Sequence, residues 1–510
     1  MPKTYRMKIF TAEQIRQWDG FTISHESITS LKLMERAALA LAGWISENCK
    51  NYTRLALFCG HGNNGGDGFA AARILYTKGF DVEVFVPDLK AEFSEDASVN
   101  LQRLKDFSGI SVRELNGTEE YSFDNETVIV DALFGTGLSR PLDGIYKKLV
   151  TEINGKDNVK ISVDIPSGLS ADTIFTDDTV VFKADYTLSL QCWKKSFLHP
   201  ETGKYTGKVV VLEIGLSPEF QKQEQSENYV VDERVISRIF KPREEFSHKG
   251  TYGKVTIVGG SYGKIGAAVL STKAALKTGA GLTFTLAPDC GYMILQTACP
   301  EAMFIKGGDE YIENIDNEEN SMYGIGPGLG IHEKTRKALL AFLKGYNNPV
   351  VLDADALNML SDKQENLKYI PGKSIITPHP KEFERLFGST ANSFERLELA
   401  RKKAGELNIY IVLKDHHTQI VTPEGKVFYN ITGNAGLAKG GSGDILTGIL
   451  TSLLAQGYSV EETCLLGVWL HGKAADLAAE KYAKESMLPT DVINELGNVF
   501  AELNRKKVKL

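Results

Sequence analysis

The chain has 510 residues, 42% hydrophobic and 24% charged, with a net charge of −7. It is too long for a single core and ordinary for a folded globular protein, so two large domains are expected. The acidic balance lacks the basic footprint that a nucleic-acid partner requires. Six cysteines (Cys49, Cys59, Cys192, Cys290, Cys299, Cys464) form no C-x-x-C pair and no metal spacing. The opening "MPKTYRMKIFTAEQ" lacks an apolar signal core, and no apolar run reaches about 18 residues. These features predict a reduced, cytoplasmic chain with no membrane partner.

From the N-terminus, apolar runs alternate with helical segments. "RLALFCG" (54–60), "DVEVFVP", "ETVIVDALFG" and "VKISVDIPSG" read as strands, and "GFAAARILYTKG" reads as a helix. Continuous apolar strands separated by helices predict a parallel sheet covered on both faces. The first strand breaks into "CGHGNNGGDGFAAAR". Glycines there let backbone amides approach a ligand, and the helix start adds unpaired N–H groups and partial positive charge. Together they make a phosphate or nucleotide cradle. Two later strands end in Asp131, within "VDALFGTGLSRPLDG", and in Asp164, within "VDIPSGLSADT". A buried carboxylate needs a partner, which a bound cation or a catalytic proton would supply. Capping of the next helices is the other reading.

The polar stretch "EFQKQEQSEN" (219–228) has no apolar stripe and marks a boundary between domains 1–225 and 226–510. Beyond it come "KVTIVGGS" (254–261), "GLTFTLAP" (281–288), "MYGIGPGLG" (322–330), "PVVLDADALNML" (349–360), "KSIITPHPKEFERL" (373–386) and "IYIVLKDHHTQIV" (409–421). Polar and glycine residues again cluster after the strands, at the edge where open α/β sheets bind ligands. In "GNAGLAKGGSGDILTGIL", Ile445, Leu446, Ile449, Leu450, Leu453 and Leu454 form one apolar helical face. Asp444 falls in the first turn, after Gly440, Gly441, Ser442 and Gly443. The helix dipole favours its carboxylate, so the helix should not raise its pKa. An ionised aspartate beside an anion hole suits phosphoryl transfer: the hole neutralises phosphate while the aspartate takes a hydroxyl proton. His379, between two prolines, is a stiffly placed imidazole. Lys439, just before the glycines, either assists a phosphate or is solvated.

"NNGGDGF", "FGTGL" and "VDIPSG", in this order, resemble the NAD(P)H-hydrate epimerase family over about residues 10–215. The resemblance implies a Rossmann-like, three-layer αβα domain that interconverts the R and S epimers of hydrated NADH and NADPH. It implies that Asn63, Asn64, Gly65, Gly66 and Asp67, with Gly135, Thr136, Gly137, Leu138, Ser139, Arg140 and Pro141, line the substrate. Asp164 would be the acid/base group, and Asn64, Asp131 and Ser167 would hold a potassium ion that offsets the charge of Asp131. One carboxylate at the hydrate's C6 carbon is expected to be enough.

"GIGPGLG", "VLDADALN", "TPHPKEFERL" and "GLAKGGSGDILTGIL" resemble NAD(P)H-hydrate dehydratase, a ribokinase-like αβα family, over about residues 235–505. This implies that ADP or ATP, with Mg2+, drives removal of water from the S epimer through a phosphate ester at C6. Asp444 would deprotonate the hydroxyl, while Ala267, Gly328 and His379 contact the hydrate. Lys414, Asp415, His416, His417 and Thr418, with Gly440, Gly441, Ser442 and Gly443, would hold the nucleotide. Family analogy also implies a homo-oligomer. Two departures stand out. Asp415 replaces the usual glycine, and its charge disfavours a polyphosphate unless His416, His417 or Lys414 offsets it. Ala435 replaces a proline in "GNAG", which should loosen that turn. The alternatives are a vitamin kinase of the thiazole or pyridoxine type, and an N-terminal half that is a non-catalytic binding module.

Overall fold

The computed structural model describes residues 7–115, 121–175 and 179–507. The chain divides into two compact units, Lys8–Ser226 and Glu227 onward, with the division inside the polar stretch 219–228. Both are α/β with largely parallel sheets, the class expected for each half. No helix among the described residues is long and apolar enough to cross a membrane.

The first unit holds a parallel sheet in the order Ser111–Leu115, Asp81–Pro87, Arg54–Cys59, Thr127–Ala132, Lys160–Val163, Tyr186–Leu190, Lys208–Leu212. Successive strand side chains point to opposite faces. Leu55, Leu57 and Cys59 join one core with helices Ser30–Asn48, Asn63–Thr77 and Glu95–Lys105. Ala56 and Phe58 join a second core with Leu149, Val150 and Ile153 of helix Gly144–Asn154. A strand buried on both sides needs this double cover, which explains its unbroken apolar run. From strand 54–59 the chain first builds outward through 81–87 to 111–115. It then returns to the opposite flank at 127–132. Ligands bind at such a reversal, beyond the carboxyl ends of the strands. Both glycine-rich loops, after Cys59 and after Ala132, lie there.

The strands of the second unit run in the order Asn228–Val231, Val427–Asn430, Gln419–Val421, Tyr410–Leu413, Ile375–Ile376, Val351–Leu352, Ser321–Ile325, Lys254–Val258, Leu282–Ala287, Met303–Lys306. Gln419–Val421 is antiparallel to its two neighbours, and the other pairs are parallel. Here the reversal lies between 254–258 and 321–325.

Helix Ser442–Ala455 differs from expectation. Its six aliphatic residues are buried, but so are Thr447, Gly448, Thr451 and Ser452. It is a central helix without a solvent face. Gly448 permits this, since a Cβ there would lie 2.1 Å from the carbonyl oxygen of Ser271 on helix Ile265–Thr278. The hydroxyls find local acceptors, as Thr451 Oγ1 donates to Thr447 O at 2.7 Å. Gly448→Val should therefore force the two helices apart and destabilise this unit by about 1–3 kcal/mol, read as a lowered urea midpoint.

Candidate active sites

At the first reversal a cavity of about 510 Å³ is lined by Asn63, Asn64, Asp67, Asp164 and the loop Gly135–Arg140. Helix Asn63–Thr77 begins after Gly62 with no side-chain cap, so its first amides are open to an anion. Gly65 and Gly66 play a different part from that expected. A Cβ on Gly65 would meet Gly60 O at 1.8 Å, and one on Gly66 would meet the Met34 sulfur at 2.7 Å. The Gly66 amide is also used within the loop, donating to Gly62 O at 3.1 Å. Gly65 lets the helix start pack on the strand end at Gly60, and Gly66 lets it pack against helices Ser30–Asn48 and Glu95–Lys105. Pro141 is exposed and does not line the cavity.

Neither strand-end aspartate caps a helix. Asp164 adopts left-handed backbone geometry at φ +64, a conformation that costs a non-glycine residue roughly 1–3 kcal/mol. Its Oδ1 accepts from Lys194 Nζ at 2.5 Å and from Leu190 N at 3.1 Å. Lys194 is fully buried and also donates to Ser189 Oγ at 2.8 Å. Asp131 is fully buried and accepts from Ser167 Oγ (2.6 Å), Ser167 N (2.8 Å), Leu133 N (3.2 Å) and Ser162 Oγ (3.2 Å). Burial pushes its pKa up to about 6, against these hydrogen bonds. Its charge is thus met by four donors and is not left to an ion alone. The carboxamide of Asn64 lies 2.9 Å from Phe134 O and 3.3 Å from Val163 O through its nitrogen. The two ends of an amide exchange by a half-turn. With the oxygen inward, Asn64, Asp131, Ser167 and these carbonyls form an all-oxygen set that fits a hard cation such as potassium.

Asp19 and Lys194 went unrecognised in the sequence. Asp19, on helix Ala12–Glu26, lines the same cavity. Burial raises its pKa to about 7, helped by Asp164 and opposed by Lys194. Burial first, then Asp164 and Asp19, also holds the Asp67 carboxyl well above the usual range. Nothing local in "WDGFT" or "CWKKSF" marks these side chains as inward.

In the second unit a cavity of about 680 Å³ is lined by His379, Lys414–Thr418, Gly440, Ser442 and Gly443. Helix Ser442–Ala455 starts after Gly441, at φ +101, with no side-chain cap. Asp444 is therefore not a cap; the Ser442 amide turns back to Lys439 O at 3.4 Å, and no side chain caps the Gly443 and Asp444 amides that follow. A Cβ on Gly443 would lie 3.1 Å from Asp353 Oδ2 and 3.3 Å from Lys414 Nζ, so this turn presses on that ion pair. Lys414 Nζ donates to Asp353 Oδ1 at 2.7 Å, with Glu382 Oε2 at 3.8 Å. Asp353 Oδ2 accepts from Thr447 Oγ1 at 3.1 Å. The pKa of Asp444 is raised to about 6, first by burial, then by Asp353, with Lys414 opposing. The helix dipole is outweighed.

His379 caps helix Pro380–Phe387. Its Nδ1 accepts from Lys381 N (3.2 Å) and Glu382 N (3.3 Å), and its own amide donates to Glu382 Oε2 (2.9 Å). An accepting Nδ1 leaves the proton on Nε2. Burial also lowers this imidazole's pKa, which favours the neutral donor form. Ala267 and Gly328 meet outside the cavity lining, where a Cβ on Gly328 would lie 3.0 Å from Ala267 Cβ. Ser271 Oγ bridges Ala267 and the aspartate, lying within hydrogen-bond distance of Ala267 O (3.1 Å) and Asp444 O (2.8 Å).

Three expectations need correction. Asp415 is offset by Arg396, whose Nη2 lies 2.7 Å from Oδ2. Lys414 is occupied with Asp353, and burial lowers His417 to a pKa of about 3, leaving it uncharged. Lys439 neither faces a phosphate nor is free in solvent: its Nζ donates to Glu485 O (2.6 Å) and Met487 O (2.8 Å). The "GNAG" turn is not loose. Asp476 accepts from Gly433 N and Asn434 Nδ2, both at 3.0 Å. Among the described residues, no group of three or more His, Cys, Asp or Glu side chains is arranged to hold a metal.

Residues 30–196 match the model of the YjeF-related protein N-terminus, and residues 255–498 match that of NAD(P)H-hydrate dehydratase. The chain is 32% identical over 513 residues to the bifunctional NAD(P)H-hydrate repair enzyme of Thermofilum pendens, covering 98% of this chain and 97% of that one. With the enzyme of the same name from Escherichia coli K12 it shares 32% over 497 residues, covering 96% and 93%. The crystal structure of the ADP/ATP-dependent NAD(P)H-hydrate dehydratase from Bacillus subtilis, co-crystallized with ATP/Mg2+, aligns at 31% identity and TM-score 0.48, covering 53% of this chain and 97% of that one. Since both halves are matched within single alignments of nearly full length, this chain belongs to the family of bifunctional NAD(P)H-hydrate repair enzymes.

Proposed function

We propose that the two activities of this bifunctional enzyme divide between the two cavities, with Asp164 serving epimer exchange in 1–225 and Asp444 serving dehydration in 226–510. The enzyme epimerises the R and S forms of hydrated NADH and NADPH and dehydrates the S form at the expense of ADP or ATP. The observation that carries the assignment is common to both halves. An uncapped helix start opens onto a cavity, and a lysine–aspartate ion pair stands by it, with Asp164 a member of the first pair and Asp444 next to the second. The intact Asp164–Lys194 pair also speaks against a non-catalytic N-terminal module.

In the second cavity the open amides of the Gly441–Gly443 turn would hold the nucleotide's phosphates. Asp444 would take the proton of the C6 hydroxyl, and that oxygen would accept the phosphoryl group. Departure of the ester as phosphate, with loss of a proton from C5, restores the double bond. His379 Nε2–H would orient the hydrate. Mg2+ bound to the phosphates would neutralise part of their charge. Behind the wall of the first cavity, Asn64, which lines it, and the buried Asp131 and Ser167 would hold potassium, a fixed positive charge.

Asp444→Asn should lower the dehydration rate by about 10²–10⁴-fold while epimer exchange continues. Asp164→Asn should do the reverse, so that only the S epimer disappears as the reduced-nicotinamide absorbance recovers. Loss of both activities in either folded variant would refute the division.

The raised pKa of Asp444 fixes the sign of two pH effects. Dehydration kcat/KM should rise with pH and level off above about 6, where the base is ionised. Because the folded group binds its proton more tightly than the ordinary carboxyl at 3.8, its contribution to stability falls as pH rises from about 4 to about 6. Asp444→Asn should accordingly melt higher than the native protein at pH 7, and lower or equal at pH 4.

Arg396 is expected to permit nucleotide binding by neutralising Asp415. Arg396→Ala should raise the Kd for ADP and ATP by on the order of tenfold, about 1.4 kcal/mol, in titration calorimetry. Adding Asp415→Gly should recover it, and independent, additive effects would disprove the coupling.

A further inference from the structure

We infer that Asp19 is a second catalytic carboxyl of the first site, giving a proton to the ring nitrogen N1 of the hydrate while Asp164 takes the proton of its C6 hydroxyl. This rests on the assignment of epimer exchange to that cavity.

The two carboxyls face one space but are held very differently. Asp19 and Asp164 both line the cavity of about 510 Å³. Asp164 is fixed by Lys194 Nζ and Leu190 N, on a backbone forced to φ +64. Paired with an ammonium, it is an anion positioned to receive a proton. Asp19 is half-buried, and among the described residues its carboxyl makes no hydrogen bond. The charged and titratable groups that face it are Asp164, Lys194, Asp67 and Cys192. Arg16, one turn before it and also on the cavity wall, is engaged by Glu13 at 3.0 Å. Burial and the nearby Asp164 charge therefore leave Asp19 substantially protonated at neutral pH, with its pKa raised to about 7. Two carboxyls whose surroundings separate them in this way divide into acid and base.

The hydrate carries a hydroxyl and N1 on the same carbon, C6, so exchange needs no oxidant and no second reactant. Asp164 accepts the hydroxyl proton, and the O–H electron pair becomes the second bond of a carbonyl at C6. The C6–N1 bond breaks, its pair stays on N1, and N1 takes the proton of Asp19. The ring is then open, with an aldehyde and a neutral N–H. Rotation about C5–C6 presents the other carbonyl face. N1 attacks it, returns its proton to Asp19, and the oxygen recovers the proton of Asp164. Only the configuration at C6 has changed. One carboxylate alone would leave N1 to depart as an anion, so the reaction calls for two groups where the sequence suggested one.

The test is Asp19→Asn in the full chain, supplied with the R epimer of hydrated NADH and followed by formation of the S epimer. We expect kcat to fall by at least about 100-fold with KM unchanged. The native profile should decline above about pH 7 as Asp19 loses its proton, and the residual rate of the variant should lack that decline. Asp19→Glu should restore part of kcat and the alkaline decline, and it decides the question if the Asn variant does not fold. Dehydration of the S epimer should persist in both. Native kcat and a native alkaline limb in Asp19→Asn, or a loss confined to KM, would overturn the inference. If Asp164→Asn exchanges epimers at the native rate, the cavity assignment itself fails, independently of Asp19.

Discussion

Each unit has a residue without a side chain where its sheet reverses direction. Gly60 follows strand 54–59, and a Cβ on it would sit 1.9 Å from Leu133 O in the loop across the reversal. Gly259 follows strand 254–258 in the same position, with Pro327 O at 2.5 Å. No Cβ tolerates such distances, so any substitution must move the neighbouring loop. The close approach brings two loops from different strands to one edge. In the first unit these are the loop with Asn64 and the loop with Gly135. In the second they are the loop with Ser261 and the loop with Gly328, joined by a 2.8 Å hydrogen bond from Ser261 Oγ to Gly328 O.

Bringing carboxylates to this edge carries a cost, because an uncompensated buried charge is unfavourable by several kcal/mol. The two units compensate in parallel ways. Lys194, fully buried, is bonded directly to Asp164. Lys414 is bonded to Asp353, and Asp444 stands beside that pair without a direct bond to it. The difference has a chemical consequence. A carboxylate bonded to ammonium is a firmly held anion. One placed next to a neutralised pair, and near further acidic groups, is a stronger base once ionised.

What could be read from the sequence was local. Strands appeared as unbroken apolar runs, the cradles as glycine followed by helix, and Asp164 and Asp444 as carboxylates at those junctions. What could not be read was set by contacts distant along the chain. Lys194 meets Asp164 across 30 positions, Arg396 meets Asp415 across 19, and Asp476 meets Asn434 across 42. No periodicity records such pairings. The same distinction explains the misjudged pKa of Asp444. Its helix start is visible in the sequence and favours the anion. Its burial beside Asp353, 91 residues earlier, is not visible, and it dominates. Helix 442–455 likewise shows one apolar face on paper. Its other face is buried through Gly448 and two threonines bonded within the protein.

The chain is acidic overall, and the cationic side chains at the second cavity are already engaged or neutral. Lys414 and Lys439 at the second cavity are both committed to protein acceptors, and His417 is neutral. In that cavity, attraction for phosphate would then fall to the backbone amides at the start of helix 442–455, whose partial charge neither titrates nor moves. Anion binding by such amides is insensitive to pH across the neutral range. The pH response of each half is therefore concentrated in its carboxyls. On the proposed assignments, ionisation of Asp444 at about 6 would turn dehydration on in the second unit. In the first, ionisation of Asp19 at about 7 would turn exchange down. The two activities would then overlap between these values, where the base is ionised and the acid still protonated.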